Sequence, residues 1–358
     1  LAEAGFDVVV AAGGMPVPGI DYGVPVVQLP PVRSADAGFS RLVDEAGNPI
    51  DAAWKQRRAA ALLDLARSVR PDILLIETFP FGRRPFRFEL EPLLQSAAAA
   101  RPRPVIACSV RDILVEKGDP AKVLEMAATA RTFFDRVLVH GDPAVIPFGA
   151  TFPEARSIAD RIRYTGYVAP SRPLGRPAAD RPGQAEVVVS VGGGAVGLPL
   201  LRAALAARAL TPLAAAPWRL LAGPDVPDGA FEALVRAAPA GVVVERARPD
   251  FPDLLSRCAL SVSQAGYNTV MDLLQARCRA VVVPFAAGNE TEQTTRAVLL
   301  AERGLLTLVP EPGLTPESLA AGIAAALAAP PPPAFSPVLD GAAGTARLLA
   351  EALEQRTR

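Results

Sequence analysis

Short apolar runs alternate along the chain with stretches in which apolar residues recur every three to four positions. In the first half, runs suited to strands stand at 6–11, 24–29, 73–77, 104–109 and 136–140. Helical patterns separate several of them and are clearest at 51–69, 88–100 and 121–134. This alternation predicts β–α units, and therefore parallel sheets covered by helices.

The second half repeats the alternation more regularly. Strands are predicted at 186–191, 218–222, 241–245, 259–263, 280–284 and 305–309, and a helical pattern follows each. Continuous apolar runs such as AVVVP at 280–284 are typical of parallel strands with both faces buried. We therefore predict an α/β protein made of two tandem Rossmann-like, doubly wound domains.

A segment rich in proline, glycine and arginine separates the halves and indicates a linker. The predicted organisation is an N-terminal domain at 1–166, a linker at 167–185, a C-terminal domain at 186–329, and a proline-rich break with a final helix at 330–358. We expect that helix to cross back and brace the first domain. Leu1 lies in what reads as the end of a helix, so we expect the first strand and glycine loop of the N-terminal domain to be missing.

Composition and charge narrow the classes of function. The 358 residues contain 37 Lys and Arg against 37 Asp and Glu. This balance argues against nucleic acid as a partner, because phosphate neutralisation needs an excess of basic side chains. The three cysteines form no CxxC pair and His140 is the single histidine, so we expect neither a disulfide framework nor a metal site. With no signal peptide and no apolar run of about 18 residues, we expect a cytoplasmic protein.

The first candidate site is the turn after the first strand of the second half. Gly192, Gly193 and Gly194 allow a tight turn and let backbone N–H groups approach an anion. Gly192, Gly194 and Gly197 also satisfy the G-x-G-x-x-G spacing of dinucleotide sites. Such a site also needs an acidic residue at the end of the next strand. Here the first acidic residue, Asp225, stands beyond the predicted strand end, after a Gly-Pro turn. A tight turn without a ligand stays an alternative.

The second candidate site is the helix start after the strand at 259–263. The chain turns through Ser263, Gln264, Ala265 and Gly266 and then offers the short polar side chains of Asn268 and Thr269. A helix start with small residues can hold a phosphate or diphosphate. Asp272, about 6 Å further along the helix axis than Asn268, suits the paired hydroxyls of a ribose. The alternative is that Asn268 or Ser263 caps the helix and Asp272 is a surface charge.

The third candidate site follows the strand at 280–284. Asn289 ends an Ala-Ala-Gly loop, and the next helix opens with Glu290, Glu292 and Gln293. Carboxylate and amide groups suit the hydroxyls of a sugar. The alternative is that acidic residues in a first turn only stabilise the helix dipole. All three candidate sites fall at the carboxyl edge of one predicted sheet, where open α/β sheets bind ligands.

In the first half, candidate catalytic residues stand near the ends of predicted strands, namely Glu77, Asp112, His140 and Asp142. His140 has an intrinsic pKa suited to a general base, and a structural histidine is the alternative. The loop at 78–88 interleaves four phenylalanines with three arginines. It could meet a lipid-linked or anionic acceptor or a membrane surface, or its phenylalanines could pack into the domain interface.

Several of these segments resemble a known family. SQAGYNTVMDLL at 263–274 and VVVPFAAGNETEQTTRA at 281–297 resemble the C-terminal domain of the two-Rossmann (GT-B) glycosyltransferases. They are most similar to the family 28-like type, which includes the N-acetylglucosaminyltransferase that makes the peptidoglycan lipid precursor. In the first half, IETFPFGRRPFRFEL at 76–90 and VLVHGDPAVIPFGATFP at 137–153 resemble bacterial predicted glycosyltransferases.

The resemblance implies roles for the candidate residues. Gly192 to Gly194 would border the diphosphate of a nucleotide sugar, and Gly266 to Thr269 would receive it. Asp272, where that family usually has the longer glutamate, would hold the ribose, and the backbone near Arg248 would hold the base. The predicted nucleotide-sugar-binding set is completed by Glu292 and Gln293 at the donor sugar, together with Ser263, Gln264, Ala265 and Asn289.

The resulting hypothesis is a hexosyltransferase with a UDP-sugar or similar donor and no metal or other cofactor. The acceptor stays unknown; a lipid-linked acceptor and a peripheral membrane contact through loop 78–88 belong to the hypothesis. The general base would be His140, Glu77 or Asp112, or a group in the missing N-terminal loop. Three alternatives stay open: a nucleotide-sugar 2-epimerase, an NAD(P)-dependent oxidoreductase and a non-catalytic nucleotide-sugar-binding protein.

Overall fold

The chain forms two compact units. The computed structural model describes residues 1–16, 21–35, 41–114, 119–168, 185–192, 195–286, 291–333 and 338–357. The first unit consists of Leu1–Gly141, Phe148–Val168 and Asp340–Arg358, and the second consists of Asp142–Pro147 and Ala169–Leu339. Most of the predicted linker lies outside the described residues.

The first unit starts with two pairs of short strands. β1 (Val10–Ala12) pairs in parallel with β2 (Val26–Gln28), and β3 (Arg33–Ser34) pairs in antiparallel fashion with β4 (Leu42–Val43). The sequence pattern suggested β1 and β2 as strands of a doubly wound sheet, but within the described residues they pair with each other in a separate sheet. Each has three residues and the side chains of β2 are exposed, so they lack the two buried faces of a central parallel strand.

A buried ion pair joins the ends of β1 and β2 to two helices. Arg58 of α1 (Ala52–Val69) donates to Glu89 of α2 (Arg87–Ala99), with Nε–Oε2 at 2.6 Å and Nη2–Oε1 at 3.0 Å. Its Nη1 donates to the carbonyl oxygens of Gly13 at 2.8 Å and Pro30 at 2.6 Å. Every guanidinium nitrogen therefore has an acceptor, which offsets the cost of burying the charge.

The main sheet of the first unit has four parallel strands among the described residues. Their order in space follows the chain: β5 (Ile73–Glu77), β6 (Val105–Arg111), β7 (Arg136–His140) and β8 (Ile162–Tyr164). α2 connects β5 to β6, and α3 (Pro120–Phe133) connects β6 to β7. Ile106 to Cys108 of β6 have no exposed surface, as expected for a strand covered on both faces.

The second unit contains a parallel sheet of six strands among the described residues. They are β9 (Val187–Ser190), β10 (Trp218–Ala222), β11 (Val242–Arg246), β12 (Leu260–Ser263), β13 (Ala280–Val282) and β14 (Thr307–Leu308). Their order in space is β11-β10-β9-β12-β13-β14. This is the order of a doubly wound, Rossmann-type sheet.

Helices follow the strands of the second unit and cover both faces of its sheet. They are α4 (Leu198–Ala207), α5 (Asp228–Ala237), α6 (Phe251–Leu255), α7 (Tyr267–Ala276), α8 (Glu292–Ala301) and α9 (Pro316–Ala328). Along β9, Val187 and Val189 pack into one apolar cluster and Val188 into another, because successive side chains point to opposite faces. The predicted α/β class with Rossmann-like sheets is confirmed.

The last helix, α10 (Gly341–Thr357), belongs to the first unit. Leu348 and Leu349 pack against β6 and β7, and Arg356 donates to the Asp72 carboxylate at 3.0 Å. The chain therefore returns to the first unit after the second one.

Two glycines let α10 approach the backbone that follows β8. A Cβ at Gly341 would overlap the carbonyl oxygen of Gly166, and a Cβ at Gly344 would overlap that of Thr165. Since both obstacles are backbone atoms, a side chain cannot simply rotate away from the contact. This packing therefore depends on the absence of a Cβ at these two positions.

We expect Gly344→Ala to destabilise the first unit by about 3 kcal/mol, the upper range for overpacking. Gly229→Ala is the control, because Gly229 lies in α5 and a Cβ added there meets nothing within 4 Å. It should change the free energy of unfolding by at most about 1 kcal/mol, in the stabilising direction. Urea unfolding followed by circular dichroism measures both values, and equal effects would contradict the close approach of α10.

Candidate functional site

The strand order of the second unit reverses between β9 and β12. β10 and β11 continue the sheet on one side, and β13 and β14 continue it on the other. Ser190 at the end of β9 lies opposite Ser263 at the end of β12. Where neighbouring strands connect in opposite directions, a crevice opens at their carboxyl ends, and doubly wound proteins bind ligands there.

Gln264 joins the loops after these two strands. The Gly192 N–H donates to Gln264 Oε1 at 3.2 Å, across 72 positions of sequence. Gln264 is buried, and a Cβ added at Gly192 would meet this same oxygen at 3.6 Å, an ordinary contact. Both residues belong to the predicted set, where they came from separate motifs. The structure makes them neighbours.

α7 starts at this crevice with a glycine at its N-cap. Gly266 is extended, and its carbonyl accepts the first helical hydrogen bond from Val270 N–H at 3.0 Å. A Cβ added at Gly266 would meet nothing within 4 Å. The N-cap residue therefore supplies no side-chain acceptor for the positive end of the helix dipole, and open space lies beside it.

The structure contradicts the alternative that Asn268 or Ser263 caps this helix, because Gly266 is its N-cap. Ser263 Oγ is buried and makes no hydrogen bond within the described part of the chain. Asn268 is an exposed residue inside the helix and not at its N-cap. Thr269 and Asp272 are half-buried, while the opposite face of α7 packs its apolar side chains into the core. The helix start thus keeps the features of an anion site.

Side chains of neighbouring elements hold the loops after β12 and β13. Gln293 Oε1 accepts the N–H of Ala265 at 3.1 Å and that of Phe285 at 3.2 Å. Glu311, which follows β14, accepts the N–H of Ala286 at 2.6 Å through Oε2. The amide oxygen of Gln293 therefore positions two loops of the site. Its predicted contact with the donor sugar stays a prediction, and Glu311 was missed because it lies outside the three motifs.

Arg296 is a further residue that the sequence analysis missed. It lies on α8, one turn after Glu292, and its side chain has no exposed surface. Nη2 donates to Glu292 Oε1 at 2.7 Å, and Nη1 donates to the Ala265 carbonyl at 3.3 Å. Its guanidinium carbon lies 5.6 Å from the centroid of the Tyr267 ring. The (i, i+4) spacing of Glu292 and Arg296 indicates an ion pair on a helix. Such pairs are usual on exposed helix faces, so the spacing gave no indication that this one is buried.

The glycine turn after β9 is described only in part. Gly193 and Gly194, like Asn289 of the third motif, lie outside the described residues. A Cβ at Gly197 would overlap the Val191 side chain, so this third glycine permits close packing of α4 on its strand. This packing explains why position 197 is a glycine, whether or not a nucleotide binds at the turn.

Arg248, whose backbone was assigned to the base, has a side chain held by carboxylates. Nε and Nη2 donate to the two oxygens of Asp250 at 2.8 Å each, and Nη1 lies 3.3 Å from Glu245 Oε2. The hydrogen bonds with Asp250 raise the pKa of Arg248 and lower that of Asp250. The guanidinium is therefore part of a local ion-pair network, and the role of the backbone stays a prediction.

In the first unit, His140 is engaged at both ring nitrogens. Nε2 lies 2.6 Å from Ser109 Oγ and Nδ1 lies 2.9 Å from Thr165 Oγ1. Burial lowers the pKa of His140, opposed by the nearby charge of Glu77, so the neutral ring is favoured. A neutral ring can accept a proton, as a general base must. To do so, one ring nitrogen would first have to lose its hydrogen bond with the hydroxyl of Ser109 or Thr165. Its catalytic role stays a prediction.

The acidic candidates of the first half have different surroundings. Glu77 is exposed and accepts from Arg83 Nη2 at 2.5 Å. Asp112 has no exposed surface, and its Oδ1 accepts the N–H of Ile113 at 2.9 Å. Asp142 accepts the N–H groups of Ala144 and Val338. Within the described ranges, no group of three or more His, Cys, Asp and Glu side chains is arranged to hold a metal ion.

Two phenylalanines of the loop at 78–88 are packed inside the first unit. Phe79 and Phe81 are buried, and the Phe81 ring meets the rings of Phe148 and Phe152 edge-on at 5.3 and 5.0 Å. These partners belong to the core of the first unit. The three arginines of the loop pair with carboxylates of Glu77, Glu91 and Glu125. Membrane contact through this loop stays a prediction.

No helix in the described part of the chain has the length and apolar character needed to cross a membrane.

Comparison with known proteins adds to this geometry. Residues 242–334 match the model of the glycosyltransferase family 28 C-terminal domain, a segment that contains α7, α8 and the loops they bound. Over 107 residues the chain is 36% identical to the UDP-N-acetylglucosamine--N-acetylmuramyl-(pentapeptide) pyrophosphoryl-undecaprenol N-acetylglucosamine transferase of Rhodospirillum centenum. That match covers 29% of this chain and 28% of the relative, so the chain spans less than a third of that relative's length.

Solved structures match over nearly the whole chain. Acinetobacter baumannii MurG superposes with a TM-score of 0.56 at 17% identity, covering 92% of this chain and 85% of that one. The spinosyn rhamnosyltransferase SpnG in complex with thymidine diphosphate gives 0.52 at 17%, covering 94% and 84%. The chain has the GT-B fold. It resembles glycosyltransferase family 28 in the unit that carries the candidate site, as the sequence motifs predicted.

We expect Gly266→Asp to stabilise the second unit and to abolish anion binding. Aspartate is favoured over glycine at an N-cap and should raise the free energy of unfolding by about 0.3 kcal/mol. Its charge would also occupy the helix start that an anion needs. Gly266→Ser is the matched control, which caps the helix without a charge and should keep weaker binding. Urea unfolding and calorimetric titration with inorganic diphosphate measure both effects; undiminished binding to the Asp variant would refute the anion seat.

We expect Arg296→Met to destabilise the second unit by about 3 kcal/mol, because it removes the hydrogen bonds that the buried guanidinium donates to Glu292 and to the Ala265 carbonyl. Arg347→Met is the control, since it removes an (i, i+4) pair of an arginine with a glutamate, here Glu351, at an exposed position. That change should cost at most about 1 kcal/mol. Thermal and urea unfolding give the two values, and a cost for Arg296→Met as small as for the control would show that the buried pair adds no stability.

Proposed function

We propose that this protein is a glycosyltransferase that moves a hexosyl group from a nucleotide sugar, in the first instance a UDP-sugar, to an acceptor hydroxyl. The observation that carries the proposal is the start of α7. A glycine N-cap with open space beside it lies at the strand-order reversal, within the segment that matches the family 28 C-terminal domain. That combination suits a nucleoside diphosphate better than an uncharged ligand.

The diphosphate is both the group that anchors the donor and the group that leaves. In the proposal it lies at Gly266, Asn268 and Thr269, close to the Gly192 loop. The positive end of the α7 dipole stabilises the negative charge that develops as the glycosidic bond breaks. A fixed helix start needs little reorganisation during this step, and for that reason we propose a reaction that requires no metal ion.

The remaining contacts of the donor follow from the same helix pair. Asp272 lies about one and a half turns from the start of α7, where a carboxylate can accept hydrogen bonds from both hydroxyls of a ribose. Glu292, whose Oε1 is fixed by Arg296, and Gln293 are proposed to face the donor sugar. The base is proposed to lie along the backbone near Arg248. We propose Glu77, His140 and Asp112 as the candidates for activating the acceptor hydroxyl.

The Rhodospirillum relative is named for a pyrophosphoryl-undecaprenol acceptor and a UDP-N-acetylglucosamine donor. We include both chemical classes in the proposal, as a UDP-linked sugar and a polyprenyl-diphosphate-linked acceptor. A lipid-linked acceptor would bring the protein to a membrane surface. Vesicle flotation with and without such a lipid is the direct measurement of that part of the proposal.

The decisive experiment is calorimetric titration with UDP, GDP, TDP and NAD, each with and without EDTA. We expect UDP or another nucleoside diphosphate to bind with an affinity that EDTA does not change. Binding that EDTA abolishes would contradict the metal-independent part of the proposal. Binding of NAD without any nucleoside diphosphate would replace the transferase by a redox function of the glycine turn.

Asp272→Ala should weaken UDP binding by about 1.5–3 kcal/mol, the range for a hydrogen bond to a charged group. Glu232→Ala is the matched control, because Glu232 is an exposed helical carboxylate of the same unit, on α5, that pairs with Arg236. We expect this control to bind UDP like the unchanged protein. Calorimetry gives both affinities and circular dichroism the folded state. An unchanged affinity for Asp272→Ala would refute its assignment to the ribose.

A further inference from the structure

Two cysteines far apart in the sequence meet at the edge of the sheet opposite to the candidate site. Cys258 lies between α6 and β12, and Cys278 lies between α7 and β13. Both are free thiols with partly exposed side chains. The two positions therefore stand at the amino ends of neighbouring parallel strands, a relation that no local spacing indicates.

The pairing of β12 with β13 brings the two connections that contain these cysteines next to each other. Ser261 pairs with Ala280, and the Ser261 N–H donates to the Arg279 carbonyl at 2.8 Å. Continued towards the amino ends, this register would set Ala259 opposite Cys278 and Cys258 one position beyond, a Cα separation of about 6 Å against the 4.4–6.8 Å of a disulfide. Within regular strands this offset would direct the two side chains to opposite faces of the sheet. Both cysteines lie outside the strands, in the connections that precede β12 and β13, so this alternation does not apply to them.

The thiols themselves are in contact. A hydrogen bond to Cys258, together with burial, raises the pKa of Cys278. Cys258 Sγ also donates to the Leu255 carbonyl at 3.2 Å, which holds this sulfur at the end of α6. Cys108 is not part of this pair, because it lies in the first unit and has no exposed surface. Burial raises the pKa of its thiol.

We propose that Cys258 and Cys278 form a reversible intramolecular disulfide and are a site of oxidative modification. With glutathione disulfide as oxidant, one cysteine thiolate attacks it and one glutathione thiolate leaves. The second cysteine thiolate then attacks the mixed disulfide and releases the second glutathione. Two S–H bonds are lost and one S–S bond forms, and the two cysteine protons end on two glutathione thiols. The electrons that reduce glutathione disulfide come from the cysteine pair.

The bond would link the α6–β12 connection to the α7–β13 connection. This helix runs from the glycine N-cap at the candidate site to Ala276, two residues before Cys278. Oxidation would therefore tie the carboxyl end of α7 to the α6–β12 connection. By closing a loop between positions 258 and 278 it also restricts the unfolded chain, so the oxidised protein should unfold at a higher temperature than the reduced one.

The test is a disulfide map of the full chain after treatment with glutathione disulfide at pH 8.5. An alkaline pH is chosen because the thiolate is the reacting form and the pKa of Cys278 is raised. Trypsin cleaves after Arg257, Arg277 and Arg279, so a linked pair appears as peptide 258–277 joined to the dipeptide 278–279. If cleavage after Arg277 is missed, peptide 258–279 is lighter by two hydrogens.

We expect the linked peptides in the unchanged protein and in Cys108→Ser, and their loss after dithiothreitol. They should be absent from Cys258→Ser and Cys278→Ser, and the rise in melting temperature on oxidation should be absent from both. Glutathione adducts without a link, a link that includes Cys108, dimers linked between chains, or thiols that stay unreacted would each overturn the proposal. If a serine variant does not fold, the map of the unchanged protein still decides, because it identifies the linked residues directly.

Discussion

The reversal of strand order between β9 and β12 is the constraint on which the second unit depends. β9 is followed by α4 and then by β10, which lies on one side of the β9–β12 pair. β12 is followed by α7 and then by β13, which lies on the other side. β9 and β12 are paired neighbours, so the two loops leave the same edge of the sheet in opposite directions and a crevice opens between them. The hydrogen bond from Gly192 to Gln264 spans this opening. The position of the site therefore follows from topology, and its chemistry from the residues that the topology places there.

Side chains of α8 hold the residue that precedes α7 in position. Gln293 of this helix accepts a hydrogen bond from the N–H of Ala265, and Arg296 donates one to the carbonyl of the same residue. Ala265 immediately precedes the N-cap of α7, so its orientation determines where the helix begins. Burial of the Arg296 charge is compensated by Glu292 and would be costly without it. A polar frame of this kind restricts the helix start to one position, which is useful where an anion must meet fixed N–H groups.

The carboxyl edge of the first unit has a different character. His140 is held between Ser109 and Thr165, Glu77 pairs with Arg83, and Asp112 is buried. Each titratable candidate thus has a partner within its own unit. Such engaged groups are typical of a structural role, yet hydrogen bonds of this kind also set the protonation state and orientation of catalytic residues. Glu77 is the most accessible of the three candidates.

The sequence by itself determined the fold class and the location of most candidate residues. Continuous apolar runs, a helical period of 3.6 residues, turn glycines and polar helix starts are local properties, and they predicted β12 and the start of α7 close to where the structure has them. Tertiary structure decided what depends on long-range pairing: the separate sheet of β1 and β2, the neighbours Gly192 and Gln264, and the burial of Arg296. The contact of Cys258 with Cys278 belongs to the same class, because it depends on the pairing of β12 with β13 and not on a spacing along the chain.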